Sequence, residues 1–410
     1  MRLNAFILTV FVLTGCGSQP VGQTTDSSLR RKFESAIARE ILSEVRRELH
    51  LLKGSTRAEY LQRKSKQLSA SVDFTQVTSS IRLEHQLLDY LTRSERTKWQ
   101  ASEFQEKARA LSSLNWSLAE YEDKILAEID RLDQTIAAVA GDETTGNFSL
   151  ERHINNVRSG ADYPEDSYRG RQQYLDDLAD TMIKTQLNWH AFFTRYEESA
   201  LSIAGTESTK TSFNYNQGTL SISLAKVTDL PMFELRSIAA YYGFPGIQSF
   251  STQDKKGSLS AVLELPGYIH GWAGYVLDYI AIRDVDRTLS YLYFSRLMAG
   301  LALADLRINT DNWSVVEAQN YLTTSTPYSA NRIRLMLSKT SSAQGYYLAA
   351  VAGKLHFSTL RDRCPVESKA CESVLHQKIV ELGPLPFEIL EQRLSALQLF
   401  TDNSLSSTPP

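Results

Sequence analysis

The chain has 410 residues, of which 42% are apolar and 22% charged, and its formal net charge is -3. These values are those of an ordinary globular protein that is long enough for one large core or two domains. Basic residues are dispersed and matched by acids, which argues against a nucleic-acid-binding protein.

The amino terminus, MRLNAFILTVFVLTGCGS, has the layout of a secretory signal: a basic residue, a short apolar run and then small residues. The run from Ala5 to Leu13 is too short to cross a hydrocarbon core of about 30 Å as a helix. The tetrapeptide that ends at Cys16, LTGC, resembles the bacterial lipoprotein signal, which predicts acylation of this cysteine. Each buried methylene contributes about 0.8 kcal/mol, so several acyl chains would hold the protein on a bilayer. The alternative is an ordinary signal peptide that happens to contain a cysteine.

The residues around this cysteine predict a tether and a destination. Residues 1–15 form the predicted signal peptide, and the small, polar residues 16–28 form the lipidated cysteine and a flexible tether. Serine at position 18 resembles the enterobacterial sorting signal for the outer membrane, where the protein would face the periplasm. No later stretch is apolar enough to cross a membrane. The sequence therefore predicts a lipid-anchored protein of the bacterial cell envelope, with the bilayer as its partner.

Apolar residues recur at helical spacing through most of the first half. The predicted helices are Ser28–Lys53, Ser71–Trp99, Ser102–Ala140 and Asp176–Ala200. Gly54 is expected to end the first of them. The polar stretch Gly141–Gly170 is expected to be a domain boundary or a long surface loop. Apolar stripes of this kind are more often core faces than partner surfaces.

In one segment, apolar residues alternate with polar ones instead of recurring at helical spacing. Apolar residues alternate on both sides of the turn Asn-Gln-Gly: Phe213 and Tyr215 precede it, and Leu220, Ile222 and Leu224 follow it. This pattern predicts a β-hairpin over Ser212–Val227. After it, Thr228 or Asp229 is expected to cap a helix whose first turn holds Pro231.

The remaining segments are again helical. They are Tyr268–Ile282, Thr288–Asn309, Ser314–Leu322, Asn331–Leu337, Gly345–Asp362, Ser373–Leu382 and Pro386–Phe400. The predicted fold class is mainly α, with one small β-hairpin or sheet. The predicted organisation is a helical region over residues 29–205, a second helical region over 206–400 and a disordered tail over 401–410.

Three cysteines are present. With Cys16 acylated, Cys364 and Cys371 remain as a pair in a compartment where disulfides persist. A bridge between them would stabilise the fold by about 2–3 kcal/mol through chain entropy. Two free thiols, or a metal pair without further cysteines, are the alternatives.

Familiar catalytic motifs are missing from the sequence. It contains no H-E-x-x-H, no G-x-S-x-G, no phosphate-binding glycine loop and no C-x-x-C. Its seven histidines are scattered singly, and a lone histidine in a helix is usually a structural residue.

Five blocks of the second half occur in the order found in a known family. They are YYGFPGIQSF from Tyr241, HGWAGY from His270, DLRINTDNW from Asp305, QGYYLAAVAGKLHFSTLR from Gln344 and LHQKIVELGPLPF from Leu375. The family's blocks read H-E-x-x-P-G-H-H, E-G-W-A-x-Y, D-T-G-x-H-x-x-G-W, P-G-Q-A-x-x-Y-K-x-G and F-H-x-x-L-L-x-x-G-x-x-P-L. On these blocks, residues 213–394 resemble the bacterial family known as domain of unknown function 885, whose members resemble helical zinc peptidases. The resemblance implies a multi-helix, metallopeptidase-like body.

The reactive positions of that family are replaced in this chain. They hold Tyr241, Tyr242, Ile247, His270, Asn309, Ala350 and Val351. A catalytic zinc needs about three nitrogen, sulfur or carboxylate ligands and an open water position, which these side chains do not supply. Tyr242 in place of the glutamate also leaves no carboxylate to accept a proton from a metal-bound water. Residues that shape the backbone or fill a core, such as Gly243, Pro245 and Trp272, are kept. The resemblance therefore implies a pseudoenzyme with no catalytic residue, no metal and no other cofactor.

The main functional hypothesis is a degenerate cleft that binds without hydrolysis. Its expected residues are Tyr241, Tyr242, Ile247, His270, Trp272 and Asn309. Aromatic side chains of this kind are common at interfaces, so the cleft could hold a peptide or an envelope protein by stacking and hydrogen bonding. Plain core packing is the alternative for the aromatic residues among them.

Two other functions stay open. One is a working hydrolase with a relocated site, for instance His270 with Asp278 or Asp284. The other is a purely architectural lipoprotein, whose first-half helices dock a partner and whose cleft is closed.

Overall fold

The structure is a computed structural model of the whole chain. It describes residues 24–100, 103–141, 149–190, 192–193, 201–207, 213–216, 218–250, 259–263, 265–283, 288–310, 312–365 and 368–397. The predicted signal peptide, Cys16 and the predicted tail lie outside the described residues.

The described residues of the first half form seven helices. They are α1 (Thr24–Glu48), α2 (Gly54–Ser71), α3 (Ser79–Gln100), α4 (Phe104–Ser112), α5 (Leu118–Ala140), α6 (Leu150–Gly160) and α7 (Tyr168–Trp189). Helix α1 begins within the predicted tether.

Several predicted boundaries in this half are wrong for local reasons. Gly54 does not end a helix but begins α2, and its φ of +59° places it in the left-handed region that favours glycine. The single helix predicted over 102–140 is two helices. Ser113 ends α4 with a φ of 57°, and Ser117 begins α5 with a capping box to Glu120. The predicted polar loop contains α6, whose first turn is capped by the Ser149 hydroxyl.

Three strands form the small sheet. They are β1 (Ser202–Thr206), β2 (Phe213–Asn216) and β3 (Thr219–Ser223), in the order β1-β3-β2. The predicted hairpin is confirmed, because β2 and β3 pair antiparallel with Phe213 opposite Ile222. The parallel strand β1 was not predicted, because its sequence SIAGT lacks a clear apolar alternation. The predicted region boundary at residue 206 falls at the end of β1.

Eight helices follow the sheet. They are α8 (Leu235–Tyr242), α9 (Pro266–Ala281), α10 (Thr288–Asn309), α11 (Val315–Ser325), α12 (Ala330–Ser342), α13 (Tyr346–Arg361), α14 (Lys369–Leu382) and α15 (Phe387–Ala396). The mainly α fold class is confirmed.

The predicted helix cap at Thr228 or Asp229 is wrong. Two short 3-10 turns precede α8 instead, and the Asp229 carboxylate accepts a hydrogen bond from the Ser329 hydroxyl at 2.8 Å.

Helices from both halves share one core. Helix α9 lies along α13, and α10 packs against α5. The α9–α13 contact is close because glycines face each other there, including Gly271 and Gly353. Within the described part of the chain, no helix combines the length and apolar character needed to cross a bilayer.

The predicted disulfide is confirmed. Cys364 and Cys371 are bonded, with their Cα atoms 5.7 Å apart. The bridge joins the segment after α13 to the first turn of α14.

A buried histidine lies in an aromatic cluster within this core. His376 of α14 is 1% exposed, its Nε2 lies 2.6 Å from the Tyr275 hydroxyl, and its ring stacks on Phe193 at 4.8 Å. Burial lowers the pKa of His376 to about 3, with Arg283 and Arg361 acting in the same direction. The folded protein therefore holds this imidazole neutral.

Replacing His376 with glutamine is expected to remove a pH-dependent part of the stability. The unfolded chain takes up a proton on this histidine below about pH 6.5, whereas the folded ring stays neutral down to about pH 3. The stability that the neutral ring contributes is therefore complete above about pH 6.5 and is lost as pH falls toward 3. Between about pH 7 and about pH 5, the wild type should lose about 2 kcal/mol of unfolding free energy relative to the variant. Urea titrations of both proteins check this, and a constant difference would contradict it.

Candidate binding cavity

The stretch AAYYGFPGIQSF forms a sharp reversal after α8. Helix α8 ends at Tyr242, and a cis peptide joins Phe244 to Pro245. A Cβ on Gly246 would lie 2.1 Å from the Tyr241 carbonyl oxygen, so only glycine allows the chain to return this closely. The carbonyl of Pro245 accepts a hydrogen bond from the indole N–H of Trp272 at 2.8 Å. The reversal is thus fastened to α9 and fixes the end of α8.

This arrangement places two predicted cleft residues in the core. Trp272 is fully buried, and Ile247 is 4% exposed within the same apolar cluster. Neither lines the cavity described below.

A cavity of about 510 Å³ lies between the end of α8 and helix α12. Tyr241, Tyr242 and His270 line it, so the structure brings these three predicted residues together. The other lining residues are Phe213, Phe294, Met298, Arg332, Arg334, Leu335, Met336, Ser338, Lys339, Ser342, Ala343, Tyr346 and Tyr347. Phe213 of β2 stacks on Tyr242, with ring centroids 5.8 Å apart, so the sheet closes one side.

His270 is held between two phenols. The Tyr241 hydroxyl lies 3.1 Å from its Nδ1, and the Tyr346 hydroxyl lies 2.6 Å from its Nε2. In a neutral imidazole one nitrogen donates and the other accepts, so each ring nitrogen has a partner in either tautomer. Burial, together with the positive charge of Lys339, lowers the pKa of His270 to about 3. The ring is therefore neutral at physiological pH.

The α12 side of the cavity is cationic. Arg332, Arg334 and Lys339 line it, and within the part of the chain that the structure describes no aspartate or glutamate does. The Lys339 ammonium lies 3.5 Å from the centroid of the Tyr346 ring, and burial lowers the pKa of Lys339 to about 8. Arg332 is 1% exposed and donates to Glu234 beneath the cavity. The cavity thus combines an aromatic side with a positively charged side.

Asn309 has a structural role away from the cavity. Its side-chain amide donates to the Asp305 carboxylate at 3.0 Å and to the Thr340 carbonyl. Asp305 in turn accepts hydrogen bonds from three backbone N–H groups at the start of α13, those of Gly345, Tyr347 and Leu348. This network fixes α13 against α10.

The residues around His270 do not fit the zinc of the peptidases that members of the family resemble. Across the described ranges, no three histidine, cysteine, aspartate or glutamate side chains converge to hold a metal ion. Both nitrogens of His270 have phenol partners, and the nearby Lys339 adds positive charge that disfavours a dication. Asp278, two turns along α9, pairs with Lys354 at 2.9 Å and with Arg131 at 2.6 Å. Asp284 lies outside the described residues.

Sequence reasoning missed the α12 side of the cavity. A signal was present, since Arg332 and Lys339 are seven residues apart and so lie on one face of a helix. The neighbour of that face could not be inferred, because the contact joins segments far apart in the chain. Tyr346 lies in a block that the sequence singled out, but its bond to His270 depends on the same packing.

Three comparisons with known proteins bear on this fold. A family model described as "Bacterial protein of unknown function (DUF885)" matches residues 18–394. A solved structure described as a "putative lipoprotein from Colwellia psychrerythraea" is 14% identical, with a TM-score of 0.64 over 92% of this chain and 77% of its own. A second, described as a "putative lipoprotein of unknown function from Shewanella oneidensis", is 11% identical, with a TM-score of 0.55 over 90% of this chain and 72% of its own. At such identities the likeness shows the fold alone. No curated protein matches the chain.

Proposed function

Because this chain belongs to the DUF885 family of bacterial proteins, we propose that it is a cell-envelope lipoprotein that binds a peptide in its cavity without hydrolysing it. The observation that carries this proposal is the state of His270. Both ring nitrogens of this neutral side chain are engaged by tyrosine hydroxyls, in a cavity whose charged side chains, among the described residues, are all cations.

The cavity chemistry supports binding rather than hydrolysis. Metal-assisted hydrolysis needs a metal-held water and a carboxylate or similar base to accept its proton. Among the described residues neither role has a side chain, since none of them brings a carboxylate to the cavity and His270 is occupied by its two phenol partners.

The cavity dimensions support a short peptide segment as ligand. Its volume of about 510 Å³ lies within the range of small-ligand pockets, which bury their ligands mainly against apolar and aromatic side chains. Tyr241 is only 2% exposed, so its main role is to hold His270. Tyr242 is half-buried, and together with Phe294 and Met298 it offers an apolar surface to the ligand.

The proposed location follows from the amino terminus. The signal ending at Cys16 supports acylation, and the two solved structures compared above are described as putative lipoproteins. Serine at position 18 supports the outer membrane, with the body in the periplasm.

The test combines peptide retention, cleavage and metal content in one preparation. The acylated protein in detergent micelles is incubated with a mixed peptide library, and retained peptides and new fragments are identified by mass spectrometry. We expect retained peptides to be intact and the protein to lack stoichiometric zinc. Replacing Tyr242 with alanine should weaken retention about tenfold, because truncating a buried aromatic contact costs more than about 1 kcal/mol.

Tyr168 provides a matched control. It is 83% exposed and lies outside the cavity, so its replacement with alanine should leave retention unchanged. Cleavage accompanied by stoichiometric zinc would instead establish a hydrolase. Equal retention by the wild type and the Tyr242 variant, or none by either, would favour an architectural lipoprotein.

A further inference from the structure

We infer that the cavity recognises the carboxyl terminus of a peptide, with Lys339 as the group that pairs with the terminal carboxylate. The inference rests on the proposed function and names the part of the peptide that the cavity takes.

The first argument is the charge of Lys339. This side chain is half-buried, and it forms no ion pair with any carboxylate among the described residues. Its ammonium group is stabilised by a cation–π contact with the Tyr346 ring, whose centroid lies 3.5 Å from Nζ. A partly desolvated ammonium without a counter-charge is costly, so a carboxylate that enters the cavity gains a charge-assisted hydrogen bond at this point.

The second argument is the state of Arg332. Its guanidinium is 1% exposed, and one nitrogen donates to Glu234, but Nε and Nη1 have no hydrogen-bond acceptor within the described structure. Buried N–H groups are almost always paired in native proteins. Arg332 lines the cavity, and its Nε and Nη1 are themselves buried, so a ligand carbonyl oxygen becomes their acceptor once the neighbouring side chains shift.

The spacing of the two cations fits a peptide end. Arg332 and Lys339 are seven residues apart on α12, which corresponds to about 10 Å along the helix axis. An extended peptide spans about 3.3–3.6 Å per residue, so roughly three residues separate a carboxylate at Lys339 from a carbonyl at Arg332. The opposite end of a peptide does not fit, because an amino terminus would add a further positive charge to a cavity already lined by three cations.

Calorimetric titration with three blocked tripeptides tests the inference on the full-length protein. The probes are acetyl-Ala-Ala-Phe with a free carboxylate, the same peptide as its carboxamide, and acetyl-Ala-Glu-Phe carboxamide, which has its only carboxylate on a side chain. We expect the free acid to bind about tenfold more tightly than its carboxamide, since a hydrogen bond to a charged group contributes about 1.5–3 kcal/mol. The Glu-containing carboxamide should bind no better than the plain carboxamide.

Variants at two lysines make the result specific. Replacing Lys339 with methionine should reduce binding of the free acid to the level of the carboxamide, whereas replacing it with arginine should retain the preference. Lys378 is the control, because it pairs with Glu381 at 2.7 Å outside the cavity, and its methionine variant should bind like the wild type.

The outcomes separate this inference from the proposed function. Equal affinities for the acid and its carboxamide, or an unchanged preference in the Lys339 methionine variant, would overturn the inference while leaving a binding cavity. Tight binding of the Glu-containing carboxamide would overturn recognition of the peptide terminus in favour of a side-chain carboxylate. If none of the three probes binds at millimolar concentration, the inference fails together with the proposed function.

Discussion

Replacing Glu128 with glutamine is expected to lower the free energy of unfolding by about 3–5 kcal/mol at neutral pH, because it removes one member of a buried ionic network. Glu128 of α5 is 5% exposed and forms a bidentate pair with Arg131 at 2.7 Å. It also contacts the ammonium of Lys354 on α13, which is 4% exposed. Asp278 of α9 completes the network, 2.9 Å from Lys354. These contacts connect three helices through a buried pair, Glu128 and Lys354, while the Arg131 side chain is 45% exposed at the edge of the network.

The protonation of Glu128 gives the prediction a pH signature. Burial raises the pKa of Glu128, but Lys354 and Arg131 lower it more, so it falls from 4.5 to about 2. The unfolded carboxylate therefore binds a proton at a higher pH than the folded one. The stabilisation is complete above about pH 4.5 and is lost as pH falls toward 2.

Urea unfolding of the wild type and the variant provides the measurement. A matched control is the replacement of Asp166 with asparagine, because Asp166 pairs with Arg171 but its side chain is 67% exposed. Exposed pairs contribute about 0–1 kcal/mol, so this variant should unfold almost as the wild type does. Similar losses in the two variants would show that Glu128 is not buried in such a network.

Replacing Gly353 with alanine is expected to lower the free energy of unfolding by about 3 kcal/mol or more, because the new methyl group would overlap a neighbouring helix. A Cβ built on Gly353 of α13 lies 1.6 Å from the carbonyl oxygen of Gly267 in α9. That obstacle is backbone and cannot rotate away, so the two helices must separate. Chemical denaturation reports the loss.

Gly274 offers a control within the same helix pair. A Cβ there would lie 3.4 Å from the nearest atoms, side-chain carbons of Lys354, which is an ordinary van der Waals contact. Alanine favours a helix over glycine by about 1 kcal/mol, so its replacement with alanine should leave stability within about 1 kcal/mol of the wild type. A large loss at Gly274, or a small one at Gly353, would be inconsistent with this packing of α9 on α13.

Local sequence patterns predicted most of the elements but fewer of their ends. The helix over Thr288–Asn309 was placed at its observed bounds, because a long apolar period with few polar interruptions is a strong signal. The break between α4 and α5 was missed, since the apolar stripe continues through it. It depends on the left-handed conformation of Ser113 and on the capping box at Ser117.

The residues of the candidate site were likewise predicted only in part. The sequence singled out Tyr241, Tyr242 and His270, and the structure places all three at one cavity. It also suggested Trp272, but the indole is turned into the core by its hydrogen bond to the Pro245 carbonyl. Trp272 lies two residues after His270 on the same helix, so the two side chains point to different faces of it. Only the packing of neighbouring helices decides which of these faces is buried in the core.

The sequence by itself determined the mainly helical class, the hairpin and the cysteine pair, because apolar periodicity, turn residues and the number of cysteines can be read without knowing how distant segments pack. The replacement of the family's reactive side chains, which the sequence also suggested, stays a prediction. Only the tertiary structure decided that α12 faces the end of α8, that β1 joins β3, and that Glu128 meets Lys354 across 226 residues. Such contacts depend on how distant segments bury their apolar faces together, and no local pattern records which segments will meet.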